Sequence, residues 1–474
     1  MARIHSMMDI GKRSMMNSQT ALQTSGHNIA NKSTEGFSRQ RVEIQTNTPI
    51  GSGQLRYGMG SKTAAVTRIN NPYLERQIGN ERSLGGFFDG KAEAMSRVEN
   101  VYNEQQNKGL NQFVSDFFSS VHELSNNPES LATRTQVRET ADFLTKDFKR
   151  VHSQLHEITK DLDQQIKSQL EEVNGMTKEI ASLNEKIQGV ELQGGFANDE
   201  RDRRDLLLKQ VGERINIRWA EGADTTVTVT AGNSALLVAG YDAKTLAAKP
   251  TAETAKKAEG SVDIFYFNSD KAEPVNVTQQ ITGGKIGGTL AVRDEVVTDL
   301  LGDVDKMAYS FAANVNEIHR SGFNAYNETN ENFFELPTEV RHASANLKVN
   351  ADIMDDVGRI ATAGASQSPG DPRIATAMAH LQNDKTMGGE HTFDEFYNSI
   401  VGKVGVQAHR AETASSTQRD IVKQMNNLRE SVSGVSLDEE ATKLIEYQKS
   451  FDASARLIRT ADEMFDTVLN LKRL

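Results

Sequence analysis

The sequence predicts a mainly α-helical, elongated, multi-domain protein, with a coiled-coil-like helical body formed by both ends of the chain and a small inserted β domain. Three observations predict this class: the placement of the prolines, apolar repeats of seven at both termini, and a β-like texture confined to the middle of the 474 residues. The length allows two to four domains. The 8 prolines are absent from residues 1–48, 129–249 and 373–474. Proline disrupts helix interiors, so long helices can run through these three segments.

The N-terminal helix is predicted from two interleaved columns of side chains, each with a spacing of seven. The bulky column, taken as the N-terminal seam, consists of Met8, Met15, Leu22 and Ile29. The second column is mostly small and consists of Ile4, Gly11, Ser18 and Ser25. Together they give the 4-3 spacing of a coiled coil. Small residues let a neighbouring helix approach closely, but such a helix buries too little apolar surface to be stable alone.

The C-terminal helix repeats this pattern more strongly. Its seam consists of Leu437, Leu444, Phe451, Ile458 and Phe465, with Tyr447, Ser454, Ala461 and Val468 at the complementary positions. Ser436 is a suitable N-cap, and the acidic residues after it favour the positive end of a helix. We expect the two ends to meet each other or other subunits. The alternative is a pair of ordinary amphipathic helices packed on a globular core.

A longer helix is predicted over residues 144–190, where apolar residues keep the 4-3 spacing. Ile166 and Leu170 interrupt the repeat with two successive steps of four, a stutter. We expect this helix to pack against segments near 92–124 and 294–319.

The residue pattern changes from helical to strand-like between about 218 and 285. The stretches TTVTVT, ALLVAG, VDIFYF and VNVTQQI predict strands separated by turn residues. Residues 243–260 are low in bulky apolar side chains, so we expect a solvent-exposed loop or hairpin tip there. The chain is thereby divided into terminal helices (1–65 and 435–474), an elongated helical bundle (66–217 and 286–434) and an outer β domain (218–285).

Charge and composition argue against several classes of function. The net charge of −11 disfavours nucleic acid and anionic membranes as partners. The absence of Cys excludes disulfides and thiolate metal sites. His152 and His156 have the spacing of a zinc pair but lack the adjacent Glu of a metalloprotease and a third ligand. We therefore expect no enzyme activity, no cofactor and no metal site.

The stretch GHNIANKSTEGFSRQ, residues 26–40, follows the N-terminal seam. Its order predicts a helix end, a tight loop and then an extended arm that begins in the alternating RQRVEIQT. We expect Asn31 to take a left-handed conformation that ends the helix. Gly36 should permit a positive φ where the chain reverses.

This stretch resembles the N-terminal signature of flagellar rod, hook and hook-associated axial proteins. The residues that match it, which we take as an assembly motif together with Arg39 and Gln40, are Asn28, Ile29, Ala30, Asn31, Thr34, Gly36 and Phe37. The C-terminal YQKSFDASARLIRTADEMFDTVLNL resembles the terminal helix of the same group.

Three further segments resemble the hook-associated protein 1 family, whose members form the first hook–filament junction. They are SVSGVSLDEEATKLIEYQ, GGFANDERDRRDLLLKQVG, and GGKIGGTLAVRDEVV followed by VNEIHRSGFNAYN. The runner-up is a hook or distal rod protein, which shares the terminal signatures. An intracellular coiled-coil scaffold and a surface hydrolase with a helical stalk remain as alternatives from other classes.

The resemblance implies a structural, non-enzymatic role in the bacterial flagellum. The implied partners are other copies of the chain, the hook protein, the second hook–filament junction protein, a cytoplasmic export chaperone at the C-terminal helix, and the flagellar export apparatus. It also implies an extracellular location reached without a cleaved signal peptide. The first 25 residues lack the apolar core of such a peptide, and no later run could span a bilayer. We expect the terminal helices to be disordered in the monomer and to become ordered on assembly.

Overall fold

The protein is described by a computed structural model over residues 2–52, 55–102, 109–251, 261–269 and 273–471. The helices are α1 (Ala2–Ala30), α2 (Pro72–Val101), α3 (Leu110–Asn126), α4 (Leu131–Leu192), α5 (Asn198–Arg214), α6 (Gly284–Ala291), α7 (Thr298–Arg320), α8 (Ala343–Asn346), α9 (Ala351–Asp355), α10 (Arg373–His380), α11 (Phe393–Ser433) and α12 (Leu437–Leu471). The strands are β1 (Gln40–Thr46), β2 (Ile50–Ser52), β3 (Leu55–Tyr57), β4 (Ser61–Arg68), β5 (Ile217–Glu221), β6 (Val227–Ala231), β7 (Ala235–Ala239), β8 (Asp242–Ala243), β9 (Thr245–Pro250), β10 (Val262–Phe267), β11 (Val275–Asn276), β12 (Phe334–Glu335) and β13 (Lys348–Val349).

The two ends of the chain meet as an antiparallel helix pair, α1 with α12. Near the middle of the pair, Ser454 Oγ donates to Ser14 Oγ at 2.7 Å. At the far end, the rings of His5 and Phe465 lie 5.6 Å apart between centroids. A mainly helical body to which both termini contribute is therefore confirmed.

A β-hairpin follows α1 and packs against its side. Strands β1 and β4 pair antiparallel with Gln40 opposite Arg68, and β2 pairs with β3 further out. Asn17 joins the hairpin to α1, because its side chain donates to Ser61 O at 3.1 Å and accepts from Thr63 N at 2.9 Å. We call α1, the hairpin β1–β4 and α12 together the terminal arm, and the remaining helices the trunk.

Helix α4 is continuous over 62 residues, which corresponds to about 93 Å at 1.5 Å per residue. It begins well before the predicted residue 144, because the side chain of Ser130 caps its N-terminus. The apolar stripe up to Leu162 packs in a core with α2, α3, α7, α10 and α11. From Ile166 onward the stripe belongs to a second core with α5 and strands β6, β7, β9 and β10.

The predicted stutter therefore lies where α4 passes from one core to the other. The sequence located the partners of the first half of α4, but it did not predict that the second half packs on the β strands. At the same boundary, Arg293 is almost fully buried and its guanidinium pairs with Asp163 at 2.5 Å and with Asp294 at 2.7 Å. Arg293 lies in a π-helical turn, Val292–Val297, between α6 and α7.

The β strands form two sheets against α4, in the orders β5-β6-β7-β8 and β9-β10-β11. The expectation of a loop at 243–260 was wrong for its first part, because Thr245–Pro250 pairs with β10 and Leu246 is buried at 1% exposure. The remainder, 252–260, lies outside the described residues. The predicted strand VNVTQQI was also mostly wrong: after β11 the chain forms a 3-10 turn, Thr278–Gln280, since Thr278 Oγ1 accepts from Ile264 N at 2.8 Å.

Glycines allow α2 and α6 to cross at backbone contact distance. A Cβ on Gly90 would fall on the carbonyl oxygen of Lys285, and one on Gly288 would fall on that of Phe87. The stretch GGKIGG is thus explained by close helix packing. Among the described helices, none is both long and apolar enough to cross a membrane.

Candidate functional site

The predicted assembly motif lies where the terminal arm meets the trunk. Asn28 is buried at 1% exposure, and its side chain bonds Gln40 twice: Nδ2 donates to the carbonyl at 2.8 Å and Oδ1 accepts from the amide at 2.9 Å. The same Nδ2 donates to Glu440 Oε2 at 3.2 Å. One amide side chain therefore links the end of α1, the start of β1 and the start of α12.

The loop after α1 is held by local hydrogen bonds. Asn31 N and Nδ2 both donate to His27 O, at 3.1 and 3.0 Å, and Thr34 Oγ1 donates to Asn31 Oδ1 at 3.1 Å. The left-handed conformation expected at Asn31 was wrong, since Asn31 does not have a positive φ. Its side chain instead bonds one carbonyl in the last turn of the helix, that of His27.

The left-handed residue in this loop is Gly36, with φ of +84°, so the positive φ predicted there is observed. A Cβ at Gly36 would lie 3.1 Å from Cβ of Leu206 on α5. Phe37 is half-buried and packs edge-on against the His27 ring at 5.5 Å. Of the other motif residues, Ile29 is half-buried, while Ala30 and Thr34 are exposed.

Arg39, just before β1, connects the start of the hairpin to the start of α12. Its guanidinium pairs with Glu439 at 2.7 Å and with Glu440 at 2.7 Å, and its amide donates to Ser433 O at 2.9 Å. Burial alone would raise the pKa of the Glu440 carboxyl. Hydrogen bonds from Asn28, Ser25 and Arg39 outweigh burial and hold that pKa below its ordinary value.

The acidic face of α5 receives the arm, and it was missed by the sequence-based predictions. Asp202 Oδ2 accepts from Ser38 N at 2.7 Å, and Arg68 Nη1 donates to Asp202 at 2.8 Å and to Asp205 at 2.7 Å. Asp199 Oδ1 accepts from Gln40 Nε2 at 2.7 Å. The sequence feature that could have predicted this face is the spacing of three residues between these aspartates, which places them on one side of a helix.

Arg429 near the end of α11 holds the loop from the other side. Its Nη2 donates to the carbonyls of Gly36 at 2.9 Å and Phe37 at 3.2 Å. Its Nε pairs at 2.8 Å with Glu75, which also pairs with Lys209. The two cations outweigh the effect of burial and hold the pKa of Glu75 below its ordinary value. An open cleft of about 780 Å³ lies between this loop and the α11–α12 connection.

Within the α1–α12 pair, small residues are buried at the contact, whereas the bulky seam residues are only half-buried and include Ile458, which packs on Gly11. Gly11, Ser18 and Ser25 are buried, and a Cβ on Gly11 would come 2.6 Å from Cγ1 of Ile458. The four residues of the N-terminal seam are all half-buried: Met8, Met15, Leu22 and Ile29.

The C-terminal seam has the same arrangement. Ser454 and Ala461 are buried at the contact. Half-buried side chains beside them are Leu444, Phe451, Ile458 and Phe465. Leu437 is 42% exposed at the start of α12. The single chain therefore leaves both bulky columns partly in contact with solvent.

The histidines weighed as metal ligands have structural contacts. His152 Nδ1 lies 3.0 Å from Ser344 Oγ and 3.7 Å from Asp305 Oδ1. Across the described ranges, no group of three or more His, Asp or Glu side chains could hold a metal ion. His319 is buried, with Nδ1 2.8 Å from Glu331 O and Nε2 accepting from Ala361 N at 2.9 Å.

Comparison with known proteins identifies what this arrangement resembles. A model of the helical domain of the flagellar hook-associated protein FlgK matches residues 95–334, and a model of the C-terminal region of flagellar basal body rod proteins FlgEFG matches residues 429–471. Flagellar hook-associated protein 1 of Bacillus subtilis (strain 168) is 28% identical over 496 residues, with 98% of this chain and 97% of that protein covered.

Flagellar hook-associated protein 1 of Salmonella typhimurium is 25% identical, with 96% of this chain and 97% of that protein covered. Among solved structures, the flagellar hook junction protein FlgK from Burkholderia pseudomallei is similar with a TM-score of 0.67 and 14% identity. That similarity covers 75% of this chain and 100% of the other, and at this identity it supports the fold alone.

Proposed function

The chain belongs to the FlgK family of flagellar hook-associated proteins, and on that premise we propose that it polymerises at the hook tip and joins the hook to the filament. The observation that supports this most strongly is the match of the FlgK helical-domain model to residues 95–334. Similarity to hook-associated protein 1 over nearly the whole of both chains supports it further. The role is structural and requires no catalysis.

The hook or distal rod alternative shares the C-terminal match at residues 429–471. The helical-domain match and the 62-residue helix α4 favour the junction protein instead. We also propose the division into terminal helices (1–65, 435–474), helical bundle (66–217, 286–434) and outer β domain (218–285).

Assembly would work through the terminal arm. The motif residues 28–40 fix the geometry of the arm, and the two seams bury their half-exposed bulky columns against neighbouring copies. In the isolated chain the pair buries mainly small side chains, so its ordering entropy of about 1–2 kcal/mol per residue is poorly offset. The arm would thus become fully ordered only among other subunits.

This ordering is tested by limited proteolysis of the monomer. Cleavage within α1 and α12 before the trunk is the expected result. Termini as resistant as α4 would contradict coupled ordering without affecting the junction role.

The further partners follow from the family. They are the hook protein below, the second hook–filament junction protein above, a cytoplasmic chaperone that covers α12 before export, and the flagellar export apparatus. Export through that apparatus would place the protein in the extracellular flagellum without a cleaved signal peptide.

Deletion of the gene followed by electron microscopy of the cells tests the function. Hooks without filaments are the expected result. Cells without hooks would favour a hook or rod protein, and intact flagella would contradict every axial role. Complementation with the full chain serves as the control.

A further inference from the structure

The terminal arm has two different edges, which follow from the helical repeat of α1. The residues of α1 that contact α12 include Gly11, Ser14 and Ser18. Ile10 and Asn17 contact the hairpin at Gly60 and Ser61. Ile10 lies four residues before Ser14 and Asn17 lies one residue before Ser18, so both are displaced to the same side of the contact with α12. Met15 and Leu22 lie four residues after Gly11 and Ser18. The bulky column and the hairpin are therefore on opposite sides of the contact with α12.

The bulky columns of the two helices lie on the same edge. On α12, Ile458 and Phe465 lie four residues after the buried Ser454 and Ala461. In an α-helix, the residue four positions after a contact residue is turned to one side of the contact. Because α1 and α12 run antiparallel and face each other, this side is the same edge of the pair for both helices. We call this edge the apolar strip, and its residues are Met8, Met15, Leu22, Ile29, Leu444, Phe451, Ile458 and Phe465.

The opposite edge is formed by the hairpin, which also exposes apolar side chains. Ile44 on β1 is 51% exposed and Ile50 on β2 is 61% exposed. The sheet β1–β4 has two strands, and an isolated two-stranded sheet is marginally stable in water.

Charges on the hairpin and on the α12 border of the apolar strip are complementary. The hairpin presents the exposed bases Arg41, Arg56 and Lys62, with Glu43 as a partly exposed acid. The outer border of the apolar strip on α12 presents the exposed acids Asp452, Asp462 and Asp466, with Arg459 among them. Opposite charges on two surfaces that also expose apolar groups favour their contact.

From these two edges we infer that the hairpin of one copy docks on the apolar strip of the next copy. This inference rests on the proposed function and names the contact through which neighbouring copies pair. The occupant of the strip is a second copy of this chain. The two joined surfaces differ and lie on opposite edges of the arm, so the contact is heterologous, or head-to-tail. Repeating it generates a closed ring or a helical assembly in which every internal strip is covered by a hairpin.

Site-specific cross-linking tests the contact, and the absence of Cys from the chain makes every introduced thiol unique. Two single variants, Ile44→Cys and Met15→Cys, are co-expressed in a deletion strain, and isolated flagella are treated with a thiol-specific bifunctional maleimide. A cross-link between the two variants can arise only between copies. The matched control replaces Met15→Cys by Met16→Cys, the neighbouring methionine, which is 57% exposed and lies on the face of α1 opposite the contact with α12, about 100° round the helix from Met15.

A cross-linked dimer from the Ile44 and Met15 variants, lost in the Met16 control, supports the inference. Incorporated chains that give no dimer, or equal dimer in the control, overturn it and leave the junction role intact. Dimers from the Met15 variant alone overturn it too, because they indicate strip-to-strip pairing. A second pair, Ile50→Cys with Leu22→Cys, is judged by the same outcomes. Absence of the parent chain from flagella would instead contradict the proposed function.

Discussion

Asn28 Nδ2 donates both to Gln40 O at 2.8 Å and to Glu440 Oε2 at 3.2 Å, which joins residues 412 positions apart in the chain. The motif that looked like a simple helix end thus fixes the angle between α1, the hairpin and α12. Asn28 and Glu440 are both 1% exposed, and Asn28 is the side chain that bonds the amide and the carbonyl of Gln40 as well as Glu440.

We expect Asn28→Ala to loosen the terminal arm. The substitution leaves the amide and carbonyl of Gln40 and one oxygen of Glu440 without this partner, and an unsatisfied buried polar group costs about 1–3 kcal/mol. Hydrogen exchange should accelerate in β1 and the first turns of α12, while α4 keeps its protection. Ser33→Ala in the exposed loop is the control, and unchanged exchange in both variants would contradict the role of Asn28.

Phe451→Asp should abolish incorporation into flagella. The side chain belongs to the half-buried bulky column, so a carboxylate there would have to be buried between subunits. Electron microscopy should show hooks without filaments, and circular dichroism should show a folded trunk. Glu463→Gln, at an exposed position outside the apolar strip and its acidic border, should assemble normally. Normal filaments in the Phe451 variant would argue against the seam.

Two glycine substitutions should have opposite effects on stability. A Cβ at Gly90 meets the backbone of Lys285, so Gly90→Ala should destabilise by about 1–3 kcal/mol or more through overpacking. Gly175 in α4 has no atom within 4 Å of an added Cβ, so Gly175→Ala should stabilise by up to about 1 kcal/mol through helix propensity. Urea unfolding measures both. Equal stability of the two variants would exclude the close crossing of α2 and α6.

Acid should weaken the trunk through His319. Burial lowers the pKa of His319 to about 4 from an ordinary value of 6.5. Between pH 6.5 and pH 4, His319 is protonated in the unfolded chain but neutral in the folded chain. The contribution of His319 to the free energy of unfolding is therefore complete above pH 6.5 and is lost as the pH falls towards 4. The loss is up to about 3 kcal/mol at 1.36 kcal/mol per pKa unit.

Unfolding of the parent chain and of His319→Gln between pH 7 and pH 4 measures this loss. The variant should be less stable at pH 7 and have a shallower dependence on pH. His122→Gln, at an exposed position, should leave the slope of the parent unchanged. A slope that is identical in the parent and the His319 variant would contradict the assignment.

The helical body was predictable because its signals are local and periodic. One helix, α4, carries both parts of the apolar repeat. The part up to Leu162 lies in the first core, and the part from the stutter at Ile166 onward lies in the second. The two terminal repeats also indicated helices that approach closely, and Gly11 lies against Ile458 as such a column allows.

The contacts between the terminal arm and the trunk were not predictable, because the residues that form them lie far apart in the chain. Arg68 and Asp202 are separated by 134 positions, and Arg429 bonds the carbonyl of Gly36 from 393 positions away. No local pattern specifies such pairs. Strand β9 was missed because its alanines and lysine resemble a loop, whereas Leu246 and pairing with β10 decide its conformation.

The uninterrupted helix α4 has a mechanical consequence. Since one rod passes through both cores, the outer sheets cannot swivel about the trunk without breaking backbone hydrogen bonds in its middle. Torque applied at one end of the rod is delivered at the other. The terminal arm, by contrast, is fastened to the trunk mainly by charged and polar side chains, so bending strain in a rotating shaft would concentrate there.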